Sequence, residues 1–228
     1  MFQLNRNLFR VLALCLVSAI ISTNALAESD VTEMSLLVQS NDVSFKFPNS
    51  VDRTKISTIE VTWWQSFSDV AELRLNIAYV ELSQNVNSTV SAYNTTGYEV
   101  GIGFRGNVFE SEIVNIGIGA TFDYLSSQGE TTLNNEATEV TWLKYSGGVN
   151  FVFLPSNSIS ILTGASYTTI DGEHELTETA GSLVTFTEDE SEGYYAGLSF
   201  KSGQRGKITM TWHGGHREGV YLTFSSRF

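Results

Sequence analysis

The sequence predicts an all-β protein, a transmembrane antiparallel up-and-down β-barrel of about ten strands, with eight as the alternative. Three features predict it. Apolar and polar residues alternate with period two through most of residues 34–228, which marks strands with one oily face. Short and long connections take turns along the chain, as periplasmic turns and extracellular loops do in membrane barrels. Aromatic residues gather at the two ends of the strands, where amphipathic rings favour membrane–water boundaries.

The first 27 residues read as a leader. Arg6 and Arg10 precede the apolar run 11–22, and Ala25 and Ala27 supply small residues before a cut after Ala27. This is the layout of a secretory signal, and the run is shorter than the roughly 20 residues a spanning helix needs. The sole cysteine, Cys15, lies inside it, so residues 28–228 form one cysteine-free barrel domain suited to an oxidising compartment. Arg6 and Arg10 are the leader's only charges, which leaves 11 of the 13 bases and all 25 acids in residues 28–228, a net of −14. Such a surface repels nucleic acid.

The strands are expected near 34–46, 56–66, 71–82, 97–105, 112–125, 139–153, 158–170, 193–201, 206–213 and 219–228. In the third, Leu73, Leu75, Ile77 and Tyr79 oppose Glu72, Arg74 and Asn76; in the fifth, Ile116, Ile118, Ala120 and Phe122 oppose Gly117, Gly119, Thr121 and Asp123. In the first, "SLLVQSNDVSFKF" changes parity near Asn41, so a bulge is expected there. Pro48 and Pro155 lie in connections, where a missing N–H harms no ladder. With the short turns in the periplasm, Tyr79, Tyr98, Tyr124, Tyr145, Tyr167, Tyr194 and Trp212 make an outer belt. Trp63, Phe104, Phe151, Phe153, Phe200, Phe224 and Phe228 make an inner one.

The tail "GVYLTFSSRF" puts Val220, Leu222, Phe224 and Phe228 on one face of a last strand. It resembles the terminal assembly signal of Gram-negative outer-membrane proteins, although Ser226 stands where that pattern prefers an aromatic or aliphatic residue. The whole of residues 28–228 resembles the small outer-membrane barrels related to the OmpA transmembrane domain and OmpX. That resemblance implies export through the periplasm to the Gram-negative outer membrane. It also implies insertion by the barrel-assembly machinery through Leu222, Phe224 and Phe228, and contact with outer-membrane lipid and lipopolysaccharide.

Three groups of residues are candidates for function. Glu60, Arg74, Glu99, Arg105, Lys144 and Lys207 fall on the inward face. Charges in a low-dielectric lumen need partners, so they are expected to form a network around Glu60, Arg74 and Glu99, either a plug of ion pairs or a selectivity filter. Asp171, Glu173, Glu175, Glu178, Glu188, Asp189, Glu190 and Glu192 crowd the longest connection, which holds no Lys or Arg. This reads as a solvated acidic loop, with divalent cations as possible guests. His213, His216 and Glu218 could ligate metal or move protons, but Gly214 and Gly215 between them read as a hairpin turn.

The inward face is also rich in small residues: Gly101, Gly103, Gly117, Gly119, Ser146, Gly148, Ser160, Gly164, Ser166, Gly197 and Ser199. They leave room for water, a narrow passage or the Glu28–Glu33 segment, or they let the strands coil tightly. No cofactor motif is present, no metal or catalytic site is assigned, and a monomer is expected. A non-enzymatic structural or adhesin-like surface role through the acidic loops leads the expectations. A narrow solute channel comes next, and a lipid A-modifying enzyme or protease third.

Overall fold

The computed structural model describes residues 32–85, 92–133, 135–176 and 183–228. The leader and Glu178 lie outside the described residues. Those described form β1 Thr32–Phe47, β2 Ser50–Ser68, β3 Ala71–Gln84, β4 Tyr93–Glu110, β5 Val114–Thr131, β6 Ala137–Phe153, β7 Ile159–Leu176, β8 Val184–Glu188, β9 Glu192–Ser202, β10 Gly206–Gly215 and β11 Arg217–Arg227. Each pairs antiparallel with its neighbours, and β11 pairs with β1 from Glu33↔Arg227 to Val43↔Arg217. Ten strands thus close a ring.

The eleventh strand, β8, makes a second closure. It pairs with β7 from Asp171↔Thr187 to His174↔Val184 and with β1 at Phe45↔Glu188 and Lys46↔Thr187. It can do so because β9, β10 and β11 are only 11, 10 and 11 residues long, so the wall they build stops at the β10–β11 turn. Gly215 makes that turn in a left-handed conformation, φ +84°, which glycine tolerates and other residues resist. Above it β8 alone spans from β7 to β1, and the barrel narrows from ten strands to eight.

This alters the picture of the acidic segment. It is not one solvated loop: β7 runs on to Leu176, β8 follows, and a turn at Asp189 to Ser191 leads into β9. "FPNSVDRTK" is likewise no loop, because Phe47 pairs with Ser50 across a two-residue turn at Pro48 and Asn49. Strands extend further outward than alternation alone shows, β2 beginning at Ser50 and β4 at Tyr93.

The expected bulge near Asn41 is absent. β1 pairs with β2 in unbroken register from Thr32↔Gln65 to Phe47↔Ser50; the register shifts fall instead at Ser66/Ser68 and Asn107/Phe109. The change of parity is chemical. Along the outer face of β1, Met34, Leu36 and Val38 give way to Ser40, Asp42, Ser44 and Lys46. Along its inner face, Glu33 and Asn41 give way to Val43, Phe45 and Phe47. The outer medium changes from hydrocarbon to water, and a regular strand inverts its pattern to match.

The inversion runs around the barrel. Below it, large apolar side chains such as Leu73, Ile77, Ile102, Ile118, Ile161 and Leu198 stand exposed on the outside, a band that only a lipid environment accommodates. Tyr79, Tyr98, Tyr145, Tyr167, Tyr194 and Trp212 crown that band, all outward and exposed. Tyr79 meets Tyr98 edge-on at 6.0 Å, and Phe122 meets Tyr145 at 5.2 Å. Above the crown the outer face is polar, while Val43, Phe45, Phe47, Ile56, Val80, Leu82, Leu125, Val140, Trp142, Ile170 and Phe186 fill the interior. Each such side chain stabilises the fold by about 1.5–3 kcal/mol relative to exposure.

Candidate functional site

The lumen is built in three storeys. At the end near the short β2–β3 and β4–β5 turns, Arg105 on β4 is ion-paired with Glu72 on β3 and lies 3.4 Å from Glu33 on β1, its guanidinium stacked 3.9 Å over the Trp64 ring. Arg227 on β11 donates from Nε to the same Glu33 carboxylate at 3.1 Å, and Lys207 on β10 lies within its electrostatic reach.

The middle storey is a chain of five charges. Arg74 Nη2 donates to Glu60 Oε1 at 2.7 Å, and Arg74 Nη1 lies 3.6 Å from Asp123 Oδ1. Lys144 Nζ lies 3.3 Å from Asp123 Oδ2 and donates to Glu99 Oε1 at 2.6 Å. Thr62 donates to Glu60 at 2.6 Å, Thr121 to Asp123 at 3.2 Å, and the Trp142 indole to Glu99 at 3.3 Å. Strands β2 to β6 each contribute one member. Strand tilt and cross-strand pairing make this possible: Asn76, Gly101, Asp123 and Lys144 occupy one hydrogen-bonded row, and Glu60, Ala78, Glu99, Leu125 and Trp142 the next.

Glycine is the third ingredient. A Cβ on Gly101 would run into the Asp123 carboxylate. Its absence lets Asp123 lean across β4 from β5 toward Arg74 on β3. The same device recurs higher up, where Gly172 makes room for the Phe186 ring and Gly193 for the His216 imidazole. These inward glycines are therefore filled by their neighbours' side chains.

The top storey is apolar. Phe45 packs against Trp142 at 5.9 Å and Phe186 at 4.8 Å, and Phe47 packs against Phe186 at 5.4 Å. Beside it, His174 stacks on Tyr93 at 4.8 Å and hydrogen-bonds Thr138 at 2.7 Å through Nε2. Thr138 Oγ1 also lies 3.1 Å from the Glu175 carbonyl oxygen, which can accept its proton. Burial pushes the His174 imidazole down to about 4, and it is neutral at physiological pH.

Of the residues that sequence singles out, Glu60, Arg74, Glu99 and Lys144 sit in the middle storey, Arg105 and Lys207 in the lower. Glu60 and Glu99 reach no common partner directly; Asp123 and Lys144 link them. Asp123, Glu72, Glu33 and Arg227 join the charge clusters without having been singled out, although the parity of Asp123 and Glu72 already placed them inward. The acids separate. Asp171, Glu173 and Glu175 face outward from β7, Glu188 faces inward, and Asp189, Glu190 and Glu192 lie exposed around the turn into β9. His213 points inward between the Tyr195 and Tyr221 rings at 5.2 and 3.8 Å, and His216 is buried. Glu218 instead points outward toward Arg53 at 3.7 Å. These three cannot share a ligand. Among the described residues no cluster of His, Cys, Asp and Glu is placed to hold a metal ion. On the last strand Leu222, Phe224 and Phe228 share the outward face, and the Phe228 N–H donates to Thr32 O at 2.9 Å.

Solved structures carry this architecture. The translocator domain of the autotransporter NalP from Neisseria meningitidis matches with a TM-score of 0.52 at 11% identity, covering 96% of this chain and 96% of that one. The fold is that of an outer-membrane β-barrel. Further outer-membrane barrels match with lower scores. An outer membrane channel from Pseudomonas putida F1 gives 0.48 at 9% identity over 89% and 97% of the two chains. Ail, the attachment invasion locus protein of Yersinia pestis, gives 0.41 at 11% over 89% and 100%. No family model and no curated protein sequence matches the chain.

Proposed function

We propose that the protein resides in the Gram-negative outer membrane as a sealed barrel whose raised outer wall is an adhesive surface for positively charged partners. The apolar storey carries this reading. Phe45, Phe47, Trp142, Ile170 and Phe186 pack the eight-strand ring with apolar side chains, which supports a closed lumen, and the polar surface of the described residues lies on the outer wall. That wall is charged unevenly. Glu139 and Glu175 are directly opposite partners on β6 and β7, with Glu173 beside them opposite Thr141, and Asp171 completes the row on β7. Like charges facing each other across a ladder repel, and a cationic group from a partner relieves that repulsion. Lipopolysaccharide-bridging divalent ions are a second source of the same relief.

The test uses the full barrel in proteoliposomes. Adhesion to a surface coated with a basic polypeptide is expected to fall at least about tenfold in the triple variant Glu139→Gln, Glu173→Gln, Glu175→Gln and to weaken with salt. Planar bilayers holding the same protein at about pH 5 should show no stepwise conductance. Steady conductance together with unchanged adhesion of the triple variant would replace this reading with the narrow-channel one.

A further inference from the structure

The seam where β1 exchanges one partner for another holds a buried carboxyl that the charge network does not use. On β1, Phe45 pairs with Glu188 of β8, whereas Val43, one inward position lower, pairs with Arg217 of β11. The Glu188 side chain points into the barrel with the residue only 8% exposed, and among the described residues neither of its oxygens has a hydrogen-bond partner. Among the described residues Asn41, buried at the same seam, lacks partners on both side-chain polar atoms, and Nδ1 of His216 lacks one too.

The charges that face Glu188 come from two strands. Arg217 on β11 and Lys144 on β6 act on it directly. Arg217 also feels Tyr221 on its own strand and Glu99 on β4, and His216 in the β10–β11 turn feels Arg217 and Lys144. β1 and β7 present Phe45 and Ile170. Four acids, Glu60, Glu99, Asp123 and Glu188, face three bases, Arg74, Lys144 and Arg217, and the Arg217 charge acts on both Glu188 and Glu99 without an ion pair to either among the described residues. Glu188 is the surplus acid. A carboxylate buried without donors is strongly disfavoured and takes a proton instead. The strand that carries it is held weakly on one side, by two residue pairs to β1.

We propose that Glu188 is a proton-operated latch: with a proton on its carboxyl β8 stays docked between β7 and β1, and without it β8 releases and the eight-strand ring opens. Opening separates Phe186 from Phe45 and Phe47 and breaches the apolar seal over the lumen. The inference is independent of what the outer wall binds. Burial lifts the Glu188 carboxyl from its ordinary 4.5 to about 7, against the pull of Arg217 and Lys144. A carboxyl raised in the closed state and ordinary in the open state favours closure below about pH 4.5. It loses that contribution as pH rises through about 7, a factor of about 300 in all. His174, which pairs with Val184 of β8, has the opposite slope, since release of β8 returns it to water and favours opening as pH falls.

The experiment therefore compares wild type with Glu188→Gln at each pH, so that the histidine contribution cancels. Amide hydrogen exchange of the full barrel in liposomes gives protection factors for residues 184–188 and for Phe45 and Lys46. The wild-type to E188Q ratio of protection is expected to fall by tens-fold or more between about pH 4.5 and 7, with β3–β4 amides unaffected. A ratio independent of pH overturns the latch. Wild type supplies a second measurement should E188Q not fold: infrared difference spectra between about pH 5 and 9 are expected to show loss of a buried protonated carboxyl. Its absence overturns the proposal equally.

Discussion

Lys144→Met is the sharpest probe of the middle storey. The Lys144 ammonium is buried and touches Glu99 at 2.6 Å and Asp123 at 3.3 Å. Asp123 keeps Arg74 at 3.6 Å when it goes, but among the described residues Glu99 retains only the Trp142 indole at 3.3 Å as a close donor. Stranding one partner of a buried pair costs about 3–5 kcal/mol. With a urea dependence of about 2–3 kcal/mol per molar, the unfolding midpoint should drop by about 1.5 M. Adding Glu99→Gln removes the stranded charge and should return about 1.5–3 kcal/mol of that loss, the coupling expected of residues in contact. Urea titration of the protein in liposomes, followed by the difference in gel migration between folded and boiled samples, reads both. A single variant as stable as wild type, or a double variant weaker than the single, refutes the network.

Two other perturbations separate the storeys. Gly101→Ala drives a methyl into the Asp123 carboxylate, while Gly147→Ala, whose Cβ has only Gly119 O nearby at 3.8 Å, meets almost nothing. The first should cost about 1–3 kcal/mol and the second well under half of that in the same titration; equal effects would show that Asp123 does not need the gap. His174, pushed down to about 4 by burial, takes its proton later than the unfolded chain does. Its contribution is complete above about pH 6.5 and shrinks as pH falls, by about 3 kcal/mol at about pH 4. His174→Gln should therefore flatten the acid side of the stability profile, and a wild-type slope in the variant would exclude His174 as its source.

The membrane half of this barrel is legible in sequence because every strand there obeys one rule, oily outside and polar inside. Ile77, Tyr79, Phe104 and Phe122 declare their faces by parity alone. The half above the belt obeys the reverse rule, so the same parity count misreads it. Asn41 looked like a slip in register because Val43 and Phe45 are oily on the face that Glu33 opened as polar. β8 was hidden for a related reason: "VTFTE" is short, and the acids around it outweigh Phe186 in any reading by composition. The charge network was partly legible. Glu60, Arg74, Glu99 and Lys144 were placed inward by parity, but that Asp123 and not Glu99 meets Arg74 depends on the register between β3, β4 and β5 and on the clearance at Gly101. Alternation contains neither.

The double closure also orders assembly. β8 takes its hydrogen bonds from β7, immediately before it in the chain, and from β1, more than 130 residues earlier. It can dock only once the first and seventh strands have been brought to within one strand's width of each other, and the hairpins between them must already stand. The last-made joint of such a cylinder is then its lid, fastened after the staves are upright, and whatever must pass through during construction has until that moment to do so.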